Sequence, residues 1–194
     1  MNIYIYAKLT ENLSSLEDTI RSMRSKNDRI FITTENVRAS RELDKLIKKS
    51  GEDDCIVIST LDSLGLSNDD KLKRLAAFIT RPVLLVVAGI PSTYEYGVSQ
   101  PMNKAVLTTI AQSLSTKSEN VLSMPFDSKK RAGRNRIEFP ENWSELYEAW
   151  ENKEISSKVF LEKSCLKKAT FYNLITEYKA ILEANDILKR QFLA

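Results

Sequence analysis

Apolar residues recur along this chain in two rhythms, and the rhythm changes near residue 100. Met1 to Ala7 is an apolar run that reads as a strand. Asn12 to Lys26 carries Leu13, Leu16, Ile20 and Met23 at helical spacing, with Asn12 as a candidate N-cap. Arg29 to Thr34, rich in Ile, Phe and Thr, reads as a short strand. Ser40 to Ser50 predicts a helix with Leu43, Leu46 and Ile47 inward, closed by Gly51. Asp54 to Thr60 is a continuously apolar strand, Asp69 to Ile79 a helix, and Pro82 to Gly89 another buried strand. Strands alternating with helices predict an α/β domain, a parallel sheet flanked by helices, over residues 1–101.

After Pro101 the strands stop. Asn103 to about Leu122 reads as one long helix with Val106, Ile110 and Leu114 on a stripe. That stripe fits a helix packed on the sheet and equally a helix that projects to form a dimer seam. Next comes a run with five cations in eight residues: Lys129, Lys130, Arg131, Arg134 and Arg136. It holds no large apolar side chain, so it makes no core and reads as a linker over residues 126–139.

Residues 140–194 predict a compact three-helix unit. Trp143, Leu146, Tyr147 and Trp150 share one face of its first helix. Ser156 or Ser157 caps a second helix, and a third runs from about Lys167 to Leu182. The tight connection between the last two suits a helix-turn-helix. Phe171 belongs to its core; Lys167, Lys168, Thr170, Tyr172 and Asn173 are left to meet a groove and its phosphates. A three-helix scaffold without DNA contacts is the plainer alternative.

Composition narrows the chemistry. Hydrophobic residues make up 42% and charged residues 28%, as in a globular protein. No apolar stretch reaches the length of a membrane span, and the first residues are strand-like, so neither a membrane segment nor a secretory signal is expected. The two cysteines, Cys55 and Cys165, lie in apolar surroundings and read as buried free thiols of a reducing, cytoplasmic setting. Histidine is absent, which excludes a Ser-His-Asp or Cys-His mechanism and a His-ligated metal. No cofactor and no metal is expected. The net charge of +3, from 29 basic and 26 acidic residues, announces no nucleic acid by itself. What points to nucleic acid is the concentration of cations in the linker and at the start of the third helix.

The motifs, taken in order, resemble those of the serine recombinases of the resolvase and invertase type. Tyr6-Ala7-Lys8-Leu9-Thr10 is similar to that family's Tyr-Ala-Arg-Val-Ser. Ser40-Arg41-Glu42-Leu43 resembles the start of its second helix. Gly51-Glu52-Asp53-Asp54-Cys55-Ile56-Val57-Ile58 resembles Glu-Gly-Asp-x-Leu-Val-Val, and Leu61-Asp62-Ser63-Leu64-Gly65-Leu66 resembles Leu-Asp-Arg-Leu-Gly-Arg. Arg136 to Trp143 and Leu166 to Tyr172 resemble its DNA-binding domain. The resemblance covers nearly the whole chain. It implies a resolvase-like catalytic domain, a dimerisation helix over residues 102–125, a minor-groove arm in the basic linker, and a helix-turn-helix domain. The partners it implies are double-stranded DNA and a second copy of the chain.

The departures set the expected function. In that family a serine attacks the scissile phosphate and arginines neutralise the phosphoryl oxygens. Here Thr10 stands at the serine position, and Lys8 replaces an arginine, losing the bidentate fork. Ser63 and Leu66 replace two further arginines and Ser14 a glutamine; Arg41 and Asp62 are unchanged. Loss of one preorganised donor costs on the order of a hundred- to a thousand-fold in rate. Thr10, Lys8, Arg41 and Asp62 are therefore expected to be vestigial. The sequence predicts a DNA-binding regulator or accessory factor in which strand cleavage is lost or weak. An active recombinase using Thr10 is the first alternative, and an interaction module that leaves DNA alone is the second.

Overall fold

The computed structural model describes residues 1–9, 11, 14–23, 25, 28–52, 54–95, 99–115 and 137–193, without the side chains of 14, 15 and 193. It contains an all-parallel four-stranded sheet and seven α-helices among these residues. The strands are β1 (Asn2–Lys8), β2 (Arg29–Glu35), β3 (Asp54–Ile58) and β4 (Leu84–Val87), in the order β2-β1-β3-β4. Helices α1 (Ser14–Met23), α2 (Arg41–Lys49) and α3 (Asn68–Thr80) supply the crossovers, and α4 (Gln100–Leu114) follows β4. The α/β reading of the first hundred residues is thus the observed fold.

Alternation along the strands sorts the core into two layers. Tyr6, Ile56, Ile58, Leu85 and Val87 join Leu43 and Ile47 of α2, Leu75 and Phe78 of α3, and Leu107 and Ala111 of α4. On the other face Ile3, Ile5, Ala7, Cys55, Val57, Leu84 and Val86 meet Leu16 and Ile20 of α1. Leu188 and Phe192, near the C-terminus, belong to this second layer. Burial pushes the Cys55 thiol up to about 12.

α4 shows why its stripe fitted two readings. The ridge it buries is Asn103, Leu107 and Ala111, beside the stripe of Val106, Ile110 and Leu114. A polar residue takes the inward position because its amide is used. Leu85 N–H donates to Asn103 Oδ1 at 3.2 Å, and Asn103 Nδ2 donates to Leu85 O at 2.7 Å. Those two bonds replace the neighbour strand that edge strand β4 lacks. Thr93 Oγ1 does the same one pleat on, accepting Val87 N–H at 3.1 Å. The stretch from 116 towards Leu122 lies outside the described residues.

The chain forms two compact units: residues 1–129 with 183–194, and residues 130–182. The second contains α5 (Trp143–Glu151), α6 (Ser157–Ser164) and the first part of α7 (Lys168–Leu193). Its core is aromatic: Trp143, Tyr147, Phe160 and Phe171 are buried together, with Trp143 and Phe160 ring centroids 4.9 Å apart. α7 runs on past Leu182, where the sequence reading ended it, and its last turns belong to the sheet unit. Ala184, Leu188 and Phe192 continue the helical spacing there. Among the described residues no helix is long and apolar enough to cross a membrane.

Cys165 corrects one expectation. It is exposed, not buried, because it occupies a left-handed turn (φ 54°) that ends α6. Only Cys55 is a buried thiol.

Candidate functional site

The C-terminal ends of β1, β2 and β3 carry the sequence-predicted site. Parallel pairing sets Lys8 opposite Glu35, and the strand pleat puts Tyr6 and Lys8 on the same face. Lys8 is buried, its side chain 4% exposed. Its ammonium donates to Tyr6 Oη, to the Ala39 carbonyl, and to Ser40 Oγ at 3.4 Å, with Glu35 Oε2 at 3.9 Å. An ammonium has three donors, and these partners take all three. Burial lowers the Lys8 pKa from the ordinary lysine value, and the Glu35 carboxylate opposes that shift.

Glu35 works in two directions. Its Oε2 accepts from Tyr6 Oη at 2.8 Å, and its Oε1 accepts the N–H of Arg41 at 2.8 Å and of Glu42 at 3.3 Å. The side chain of Ser40, at the N-cap, makes no capping bond, so Glu35 caps α2 from a neighbouring strand. Burial, with the Glu35 charge beside it, raises the Tyr6 pKa well beyond the ordinary tyrosine range.

A second carboxylate, that of Glu11, bridges the C-terminal ends of β1 and β3. Glu11 Oε2 accepts from Lys8 N–H at 3.2 Å and from Ser59 Oγ at 2.8 Å. Glu11 Oε1 accepts from Ser63 Oγ at 2.5 Å. The turn that presents it is closed by Glu11 N–H donating to Lys8 O at 3.0 Å.

Ser63 lies in a 3-10 turn, Leu61–Leu64, that α3 clamps in place. Arg74 Nη1 donates to Leu64 O at 2.6 Å and pairs bidentately with Asp44 of α2, at 2.7 and 3.1 Å. Gly65 lets this turn pass close to α3, since a Cβ there would lie 2.5 Å from Cβ of Asp70. Lys71 pairs with Asp62, whose side chain is 81% exposed.

The structure therefore brings Lys8 and Asp62 to one end of the sheet, with Arg41 exposed at the start of α2. Ser63 is fully buried and Leu66 is exposed. Thr10 lies outside the described residues, as do Lys129, Lys130, Arg131, Arg134 and Arg136. Sequence reasoning missed Tyr6, Glu11, Glu35, Ser59, Lys71 and Arg74. The register of β1 on β2 was a usable signal for Glu35. Each of the cations Lys8, Lys71 and Arg74 faces a carboxylate, and Glu11 adds a further negative charge. Such a site opposes the charge that accumulates on a phosphoryl group in transfer.

In the helical unit, Ser156 Oγ accepts Val159 N–H at 3.4 Å and starts α6. Phe171 N–H donates to Lys167 O at 2.9 Å, so Lys167 precedes the first turn of α7. Lys167, Lys168, Tyr172 and Asn173 are exposed and Thr170 is half-buried, while Phe171, Leu174 and Ile175 are buried. The first turns of α7 thus separate a cationic, hydrogen-bonding face from a core face. Among the described residues no group of three or more His, Cys, Asp or Glu side chains is placed to hold a metal ion. No protein-family model matches this chain, and no curated protein matches its sequence.

Proposed function

We propose that this chain is a sequence-specific, double-strand DNA-binding protein on a resolvase-like scaffold that no longer cleaves DNA, serving as a regulator or accessory factor. The observation that carries the loss of cleavage is the self-neutralised strand end. Lys8 spends its donors on Tyr6, Ala39 and Ser40, and the Glu11 carboxylate stands where an incoming phosphate would need donors. Ser63 has no charge to offer and is committed to Glu11.

Support for DNA binding comes from the second unit. The α6–turn–α7 arrangement, with its left-handed residue at Cys165, suits a helix-turn-helix in which α7 is the recognition helix. Lys167 and Lys168 are suited to phosphates, and Tyr172, Asn173 and Thr170 to base edges. In this reading Lys129, Lys130, Arg131, Arg134 and Arg136 form a basic arm along the minor groove, and the α4 region pairs two copies as a dimer.

Selection from a random duplex pool tests the reading. One enriched sequence family is expected, with affinity falling as salt rises with a slope reflecting several released counterions. Lys168→Ala with Tyr172→Ala should weaken that binding, and unchanged binding in the double variant would overturn the assignment of α7.

A further inference from the structure

We infer that the last turns of α7, from Glu183 onward, are a releasable strap that holds the carboxyl end of β2 in place and, through it, the Glu35 carboxylate. The aromatic core of the helical unit closes at Leu182. Past that point the helix exposes Glu183, Asp186, Lys189 and Arg190 and buries Leu188 and Phe192, which are 0% and 5% exposed. Asn185 is half-buried one turn before Leu188, and its Oδ1 accepts from Thr34 Oγ1 at 3.0 Å. Leu188, Phe192 and the Asn185 bond thus seat a terminal segment whose other side is in water. Helix ends held in this way open well before a core does.

The strand under the strap is an edge strand, paired with β1 alone. Its last two residues point to opposite faces of the sheet. Thr34, in register with Ala7, is buried and faces the layer that contains Leu188 and Phe192. Glu35, in register with Lys8, faces the other way. There it accepts from Tyr6 Oη and caps α2 through the N–H groups of Arg41 and Glu42. One peptide unit therefore joins the residue that the strap grips to the residue that organises the strand-end network. Release of the strap frees the end of β2, and the bonds from Glu35 to Arg41 and Glu42 loosen with it. The strap is a positioning element for Glu35, and Asn185 reaches Thr34 across 151 positions of the chain. All of these contacts belong to the sheet unit, so the inference does not rest on the DNA-binding reading.

Amide hydrogen exchange of the full chain tests this, with the unaltered protein set against the double variant Leu188→Ala with Phe192→Ala. The N–H groups of Arg41 and Glu42 should exchange about tenfold or more faster in the variant, together with the α7 amides after Glu183. The N–H of Leu85, held by Asn103 on the opposite edge of the sheet, should keep its rate, as should the amides of α5. Trypsin should cut the folded variant after Lys189 and Arg190 faster than it cuts the unaltered chain there. Asn185→Ala removes one hydrogen bond and no buried apolar group. It should move the same amides by a smaller factor, and it serves if the double variant folds poorly. Faster exchange in α7 without any change at Arg41 and Glu42 overturns the inference. Equal acceleration at Leu85 overturns it too, since the end of α7 would then act on the whole fold and not on β2. Unchanged exchange in the folded variants also overturns it.

Discussion

Ser63 Oγ donates to Glu11 Oε1 at 2.5 Å, across the gap between the turn after β3 and the turn after β1. One bond thus ties together the two motifs that resemble halves of a recombinase active site, and it does so with a hydroxyl and a carboxylate. Placing a cation at position 63 is accordingly not expected to confer phosphoryl chemistry. Ser63→Arg would place a guanidinium in a fully buried position beside Glu11, and the expected result is an ion pair or a destabilised fold without strand cleavage. Nicking of a plasmid by Ser63→Arg alone would contradict this.

Lys8 and Glu35 form a buried pair. Lys8→Met leaves the Glu35 carboxylate facing Tyr6 and the start of α2 without its cation. The expected loss of folding stability is about 3–5 kcal/mol, read by denaturant unfolding. Glu35→Gln in the same background should recover part of it, because the amide oxygen still accepts from the α2 N–H groups.

Asn103 holds the open edge of β4 through both backbone groups of Leu85. Asn103→Leu strands a buried N–H and a buried C=O, each costing about 1–3 kcal/mol. The midpoint of unfolding should fall, and the amide proton of Leu85 should exchange much faster.

Alkaline pH acts on three buried groups, Cys55, Tyr6 and Lys8. The Cys55 thiol is raised from 9.0 to about 12, so its contribution is complete below pH 9 and is lost as pH rises towards 12. Tyr6, also raised, loses its contribution above pH 10. Lys8 acts oppositely: its lowered pKa means that stability rises with pH as its ammonium deprotonates below 10.5. Cys55→Ala removes the first effect alone. Between pH 9 and 10 its stability should fall less steeply than that of the unaltered chain, by up to about 1.4 kcal/mol per pH unit.

Cys165 sits in a left-handed turn without being glycine. Relief of that backbone cost, on the order of 1 kcal/mol, predicts that Cys165→Gly raises the stability of the helical unit while leaving its exposed face unchanged.

Much of the fold was legible because period and burial agree in it. The strands after residue 50 read as unbroken apolar runs, and the first two crossover helices carried inward stripes. Three features were not legible, each for a physical reason. Asn103 is polar yet inward, because the sheet edge needs an amide there more than a methyl group. The run of α7 past Leu182 was carried by Ala184, Leu188 and Phe192, a stripe whose purpose appears only with the sheet face it covers. Glu11 was invisible as a site residue because its role is set by Ser59 and Ser63, some fifty positions away. The strand-end motifs marked out the candidate site; the partners of its cations come from parallel register and from α3.

The central claim is binding to duplex DNA without cutting it. The direct measurement incubates the full chain with supercoiled plasmid carrying the selected sequence, then divides each sample between a native and a denaturing gel. The account predicts a retarded complex on the native gel, and supercoiled plasmid free of covalent protein after denaturation. A protein–DNA adduct through Thr10, or no retarded complex at protein concentrations that saturate the selected duplex, would contradict it.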